Sequence, residues 1–226
     1  MSGREAVLWD IGGVIVELKS IRDGYAAFVE DVSAEAGLDP ETALEAWKTT
    51  LGDHFKSGDG TRYMLARVGY AKATEALFDG DPPPDWEPRL ESAVSSALRP
   101  EPGAVEAITA ISESDLEQAV VSDIDTPEAR RMLGAFGVGG RFARVTTSEA
   151  VGHTKPDERM FRDALDALGV DPGRAVMIGD RYDHDIAGAA ALGIETVGYG
   201  PDARGPEADH EVDDLREVLD LVGVDR

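Results

Sequence analysis

Five short apolar runs constrain what this chain can fold into: Ala6 to Asp10 (AVLWD), Gln118 to Asp123 (QAVVSD), Arg144 to Glu149 (RVTTSE), Ala175 to Asp180 (AVMIGD) and Ile194 to Tyr199 (IETVGY). Each has strand length, carries Val, Ile or Thr, and closes on a polar or glycine turn. Helical stretches lie between the later ones: Thr126 to Phe136, Asp157 to Leu168 and Asp183 to Leu192. Thr126-Pro127 reads as an N-cap followed by proline at the first helical position. Strands alternating with helices imply an α/β fold, a parallel sheet covered on both faces.

Residues 20–98 break that rhythm. They hold no comparable strand run and read as four helices: Ile21 to Ala36, Pro40 to Phe55, Thr61 to Leu77 and Pro84 to Leu98. Glycine- and proline-rich joints separate them, at Ser57 to Gly60 and at Asp79 to Pro84. This spacing predicts a smaller all-helical domain, residues 20–98, inserted after the first strand of a core made of 1–19 and 99–226. Arg99 to Gly103 marks the return to the core.

The charge balance narrows the partners. Asp and Glu number 45 against 22 Lys and Arg, a formal net charge of -23. Clustered positive charge is what binds a phosphate backbone, so the balance argues against a nucleic-acid partner. Of the basic residues 17 are Arg and 5 are Lys. High acidity with few lysines resembles proteins that work in molar salt, where self-repulsion is screened. An acidic protein from a high-GC genome, where Arg codons are favoured, is the alternative. No apolar run approaches the ~18 residues of a membrane span. Met1 to Glu5 lack the charged start and apolar middle of a signal peptide, so a cytoplasmic location is expected. The absence of cysteine excludes disulfides, thiolate metal sites and a cysteine nucleophile.

In an open parallel sheet, ligands bind beyond the carboxyl ends of the strands. Here those ends carry Asp10, Ser122, Asp123 and Asp180. Carboxylates gathered at one edge repel each other unless a cation or proton compensates. A hard divalent ion with oxygen ligands answers that need, and Mg²⁺ also accompanies phosphate substrates. Lys155, just before a helix, supplies a positive charge.

Asp10-Ile11-Gly12-Gly13-Val14-Ile15, Val120-Val121-Ser122-Asp123, Lys155-Pro156-Asp157, and Gly179-Asp180 through Asp185 resemble, in order, the four motifs of the haloacid dehalogenase superfamily. The resemblance spans essentially the whole chain. It implies a Rossmann-like core with a helical cap, and a Mg²⁺-dependent phosphatase acting on a small phosphorylated metabolite. By that resemblance Asp10 attacks phosphorus and forms an aspartyl-phosphate that water hydrolyses. Ser122 donates a hydrogen bond to the phosphoryl oxygens, and Lys155 neutralises charge on nucleophile and phosphate. Gly12, Gly13 and Asp123 complete the substrate site. Asp10, the Gly12 carbonyl, Asp180 and Asp185 hold the metal, Asp185 directly or through water.

One position departs from the family's phosphatases. Most carry a second aspartate two residues after the nucleophile, as general acid and then base. Here that residue is Gly12. General acid–base catalysis contributes ~10²–10⁴-fold, so substrates with poor leaving groups should suffer most. A catalytically weak binding or regulatory protein is the main alternative. A 2-haloacid dehalogenase or a phosphomutase is less favoured, since the namesake dehalogenases lack a Gly-Asp metal site.

The bland readings stay beside these. Ser122-Asp123 reads also as a strand-end turn, and Asp185 as a charge favoured by a helix N-terminus. Asp183 reads as such a charge rather than a ligand. His54, His153, His184 and His210 show no metal-ligand spacing, and His184 is expected to be peripheral. Phe28, Trp47, Phe55 and Trp86 are expected in the core of the helical domain. Tyr25, Lys56, Arg62 and Tyr63 are its candidate substrate contacts. Nothing specifies an oligomeric state.

Overall fold

The computed structural model describes residues 3–78 and 82–225. The chain forms two compact units, one from Met1–Glu17 and Pro100–Arg226 and the other from Leu18–Arg99.

The first unit is built on six strands: β1 (Ala6–Trp9), β2 (Glu117–Ser122), β3 (Arg144–Thr147), β4 (Ala175–Gly179), β5 (Glu195–Tyr199) and β6 (His210–Val212). All are parallel, in the order β3-β2-β1-β4-β5-β6. This is the expected Rossmann-like α/β sheet. Register places Trp9 beside both Val120 and Ile178. The expected runs included Asp10, Asp123 and Asp180. In the structure these residues stand one position beyond their strands. The sixth strand was not anticipated: three residues in an acidic stretch are too short to show a period.

The second unit holds α1 (Leu18–Ala36), α2 (Pro40–Lys56), α3 (Ala66–Glu75) and α4 (Trp86–Ala97). The sheet carries α5 (Ala104–Ser112), α6 (Thr126–Ala135), α7 (Ser148–Val151), α8 (Glu158–Leu168), α9 (Ala187–Ala190) and α10 (Glu217–Val222). Leu8, Val121 and Met177 on one sheet face share a buried cluster with Met160, Phe161 and Leu165 of α8. Trp9 is fully buried, and its indole N–H donates to Gln118 Oε1 at 3.1 Å. Gln118 in turn donates to the Ile108 carbonyl of α5 at 3.0 Å, so the polar handle of the tryptophan is satisfied.

In the helical unit Phe28, Val32, Trp47, Ala73 and Leu90 form a separate core. Trp47 stacks on Tyr70 with ring centroids 5.9 Å apart, and Tyr25 packs against both rings. Tyr25 is therefore part of that core. Arg62 and Tyr63 line a concave surface of the unit with His54 and Leu65, and Lys56 is exposed.

Four expectations need correction. Phe55 is 42% exposed and does not join the core. The third helix starts at Ala66, not Thr61. Asp125, not Thr126, is the cap residue of α6, and Pro127 lies one position further in. The helix expected from Asp183 is a wide turn, Tyr182–Ile186, running into the short α9. The joint expected at Asp79 to Pro84 lies partly outside the described residues.

Candidate active site

β1 lies between β2 and β4, and the strand order runs outward in opposite directions from the β1/β4 pair. Connections on either side of such a switch point leave for opposite sides, which opens a crevice at the carboxyl ends. Asp10 follows β1 and Asp180 follows β4, so the two carboxylates flank that crevice.

Asp10 is buried. Its backbone N–H donates to the Ile178 carbonyl at 3.1 Å, and its Oδ1 accepts from Ile11 N–H at 2.7 Å. Beyond it the chain doubles back, with Gly13 N–H bonded to the Val16 carbonyl at 2.8 Å. Gly13 has φ +81°, and a Cβ there would stand 2.1 Å from Asp180 Oδ2. Glycine at this turn therefore makes room for a carboxylate. Gly179 does the same on β4: a Cβ would lie 2.1 Å from the Asp185 Cβ. Gly179→Ala is expected to displace Asp185 and weaken Mg²⁺ binding about 10–100-fold. Titration calorimetry reads this directly, and unchanged affinity would remove Asp185 from the site.

Asp185 is fully buried in the turn after β4. Its Oδ2 accepts from Arg181 N–H at 3.0 Å. The turn closes with a five-residue bond from Ala187 N–H to the Tyr182 carbonyl, a geometry frequent at functional sites.

Lys155, in the loop between α7 and α8, is 2% exposed. Its Nζ lies 2.9 Å from Asp10 Oδ1 and 2.6 Å from Asp185 Oδ1, and it donates to the Val121 carbonyl at 2.9 Å. Ser122 ends β2 and is buried at the same edge. Asp123 follows it. Its Oδ1 accepts from Ser148 Oγ at 2.9 Å and from Lys155 N–H at 2.8 Å. The structure thus gathers Asp10, Ser122, Asp123, Lys155, Asp180 and Asp185 at one edge, with Gly12 and Gly13 in the turn after Asp10.

Asp10, Asp180 and Asp185 each place a carboxylate oxygen within 4.8 Å of the others. Three carboxylates against one ammonium leave two negative charges, the charge of one divalent cation. Asp180 Oδ1 is buried with no hydrogen-bond partner among the described residues. A buried carboxylate oxygen without a donor is what a metal ligand looks like before the metal binds. The residues fit Mg²⁺.

The electrostatics agree. Burial, then the charges of Asp10 and Asp185, push Asp180 up to about 7. Burial pushes Asp10 up to about 6, against the opposing charge of Lys155. Lys155 is held above its ordinary value, since Asp10, Asp185 and Asp123 outweigh its burial. Burial also raises Asp123, but the bonds from His184, Lys155 and Ser148, with the Lys155 charge, hold it below the carboxylate range.

Both Asp10 and Asp180 titrate above their unfolded values. In metal-free protein they favour folding below ~pH 4, and that contribution is lost as pH rises through about 6 to 7. Protons compete with a cation for these oxygens. The rise in Tm on replacing chelator with Mg²⁺ is therefore expected to be larger at ~pH 8 than at ~pH 5.5. Thermal melts test it, and equal rises would remove the three-carboxylate site.

The reading from sequence missed two residues. His184, expected to be peripheral, accepts from Arg181 Nη2 at 2.6 Å and faces Asp123 Oδ2 at 3.4 Å. The only hint was their position between Asp180 and Asp185.

A model of the haloacid dehalogenase-like hydrolase family matches residues 5–193. The chain is 29% identical over 235 residues to a ribulose-1,5-bisphosphate 5-phosphatase of Halopiger xanaduensis, covering 96% of this chain and 98% of that protein. It is 34% identical over 232 residues to a phosphoserine phosphatase of Thermus thermophilus, covering 95% of this chain and 90% of that one. The crystal structure of a HAD phosphatase from Thermococcus onnurineus matches its fold with a TM-score of 0.76 at 24% identity, over 98% of this chain and 99% of that one. Since the family match runs from ahead of β1 to beyond α9 and takes in every residue of the site, the chain belongs to the haloacid dehalogenase-like hydrolases.

Proposed function

We propose that this hydrolase is a Mg²⁺-dependent phosphatase of a small phosphorylated metabolite, working through an aspartyl-phosphate on Asp10. The observation that carries the reading is the triad of Asp10, Asp180 and Asp185 around Lys155 at the sheet's switch point. Relatives named for ribulose-1,5-bisphosphate and phosphoserine support the substrate class.

Asp10 Oδ1 is held by Ile11 N–H and by Lys155, which leaves Oδ2 to approach phosphorus. The Oδ2–P bond forms as the ester P–O bond breaks. Water then attacks phosphorus, releasing phosphate and restoring the carboxylate. Ser122 donates to a phosphoryl oxygen. Lys155 holds Asp10 ionised and fixes its rotamer. Asp123 holds the Lys155 loop through Lys155 N–H. The metal would sit among Asp10, Asp180, Asp185 and the Gly12 carbonyl, where it offsets their charge and stabilises that of the transferring phosphoryl group. We assign substrate selection to the helical unit. The acidic composition suits cytoplasm of high salt.

The test is hydrolysis of an aryl phosphate in molar KCl, with Mg²⁺ and with chelator. Mg²⁺-dependent turnover is expected. Its absence on aryl, acyl and sugar 1-phosphates would favour a binding or regulatory protein.

Gly12 leaves the departing oxygen to take its proton from solvent. Gly12→Asp is expected to speed hydrolysis of alkyl phosphates about 10²–10⁴-fold and that of aryl phosphates far less. Steady-state rates on the two ester types decide this, and no gain on alkyl esters counts against it.

A further inference from the structure

Lys155 is already engaged: its Nζ donates to the Val121 carbonyl at 2.9 Å and is ion-paired with Asp10 Oδ1 at 2.9 Å and Asp185 Oδ1 at 2.6 Å. A substrate carrying more than one acidic group needs another cation at this edge. Arg181 directly follows Asp180, is exposed, and is close enough for its charge to act on the Asp180 carboxyl.

Its partner is a histidine ring, as is one partner of Arg159, which bonds His153 Nδ1 at 3.1 Å but also pairs with Asp157. Arg4, Arg89, Arg144, Arg204 and Arg216 pair with carboxylates. The Arg181 guanidinium instead donates from Nη2 to His184 Nε2 at 2.6 Å. An arginine has only donors, so Nε2 accepts and the proton sits on Nδ1. His184 Nδ1 then faces Asp123 Oδ2 at 3.4 Å. Asp123 is anchored by Ser148 Oγ and Lys155 N–H. The relay fixes Arg181 through a ring nitrogen rather than a carboxylate, in a protein of net charge -23. The planar fork that remains matches the oxygens of a carboxylate or phosphate.

We propose that Arg181, held by the Asp123–His184 pair, is a specificity residue that binds a second acidic group on the phosphate-ester substrate. The inference rests on the phosphatase reading. Its class of substrate is a phosphorylated hydroxy acid or a bisphosphate rather than a phosphorylated neutral alcohol. Asp123 serves as a positioning residue, because its second oxygen sets the tautomer of His184.

The experiment uses matched pairs: phosphoglycolate against ethyl phosphate, and butanediol bisphosphate against butyl phosphate. The readout is the ratio of kcat/KM within each pair, with Mg²⁺. The wild-type ratio is expected to favour the acidic member, and Arg181→Met to lower that preference at least about tenfold in one pair. Which pair responds tells carboxylate from phosphate. Asp123→Asn keeps an Oδ1 for Ser148 and Lys155 but puts an N–H donor before His184. It is expected to lower the same ratio and to move the His184 proton from Nδ1 to Nε2, seen in ¹⁵N NMR. Ratios unchanged in both pairs, or Nε2–H already present in the wild type, would overturn the proposal. A wild type with no Mg²⁺-dependent turnover of any phosphate ester defeats the phosphatase reading, and this inference with it.

Discussion

Asp10→Asn is expected to abolish Mg²⁺-dependent phosphatase turnover, by more than ~10³-fold, while the protein stays folded. The amide is nearly isosteric with the carboxylate, and its oxygen still accepts from Ile11 N–H. Its nucleophilicity is lost. The variant also removes one of three negative charges within 4.8 Å of one another, so metal-free protein loses part of a repulsion. Rates on an aryl phosphate and melts in chelator test both halves. Turnover within tenfold of wild type would show that another group attacks phosphorus.

Lys155→Met is expected to be the most destabilising single change at the site. Removing one partner of a buried ion pair costs about 3–5 kcal/mol, because the other charge is left uncompensated. Here two carboxylates are left, Asp10 and the fully buried Asp185. The proton affinity of Asp10, already above its unfolded value, rises further. By linkage the loss is largest at alkaline pH and shrinks as acid neutralises Asp10. Urea midpoints in chelator at about pH 5.5 and 8 measure this, and Mg²⁺ should restore part of the loss. A variant as stable as wild type at the higher pH would mean that Lys155 does not balance these acids. Turnover falls as well, since Asp10 loses the group that fixes its rotamer.

Much of this site was legible because catalytic loops in parallel sheets begin where apolar runs stop. Asp10, Ser122 and Asp180 announce themselves as polar residues ending Val- and Ile-rich segments, and the match to the family motifs ordered them. What stayed hidden was tertiary. Gly13 read as part of the substrate site and Gly179 as part of the last motif, yet the atoms nearest their missing side chains belong to Asp180 and Asp185. No local pattern names that neighbour. Asp123 looked like a substrate contact or an idle turn residue. Its bonds reach Ser148, Lys155 and His184, separations that local spacing cannot encode. In the helical unit, residues 61–65 carry a helix-like pattern but remain outside α3. β6 was missed for the opposite reason, being a short strand held by pairing with β5 rather than by its own apolar content.

The placement of β1 between β2 and β4 has a consequence for biosynthesis. The ribosome delivers β1 ahead of the whole helical unit, yet one of its two hydrogen-bonded neighbours is β4. Until β4 emerges, the wholly apolar Ala6–Trp9 has at least one open edge, the kind of edge that recruits other chains. The sheet cannot close early, and pairings of such long sequence separation form slowly. Asp10 likewise waits for Asp180 and Asp185. Emergence of Asp185, not of the first translated strand, therefore sets the earliest moment at which the three carboxylates can come together, and chaperone demand should be concentrated before it.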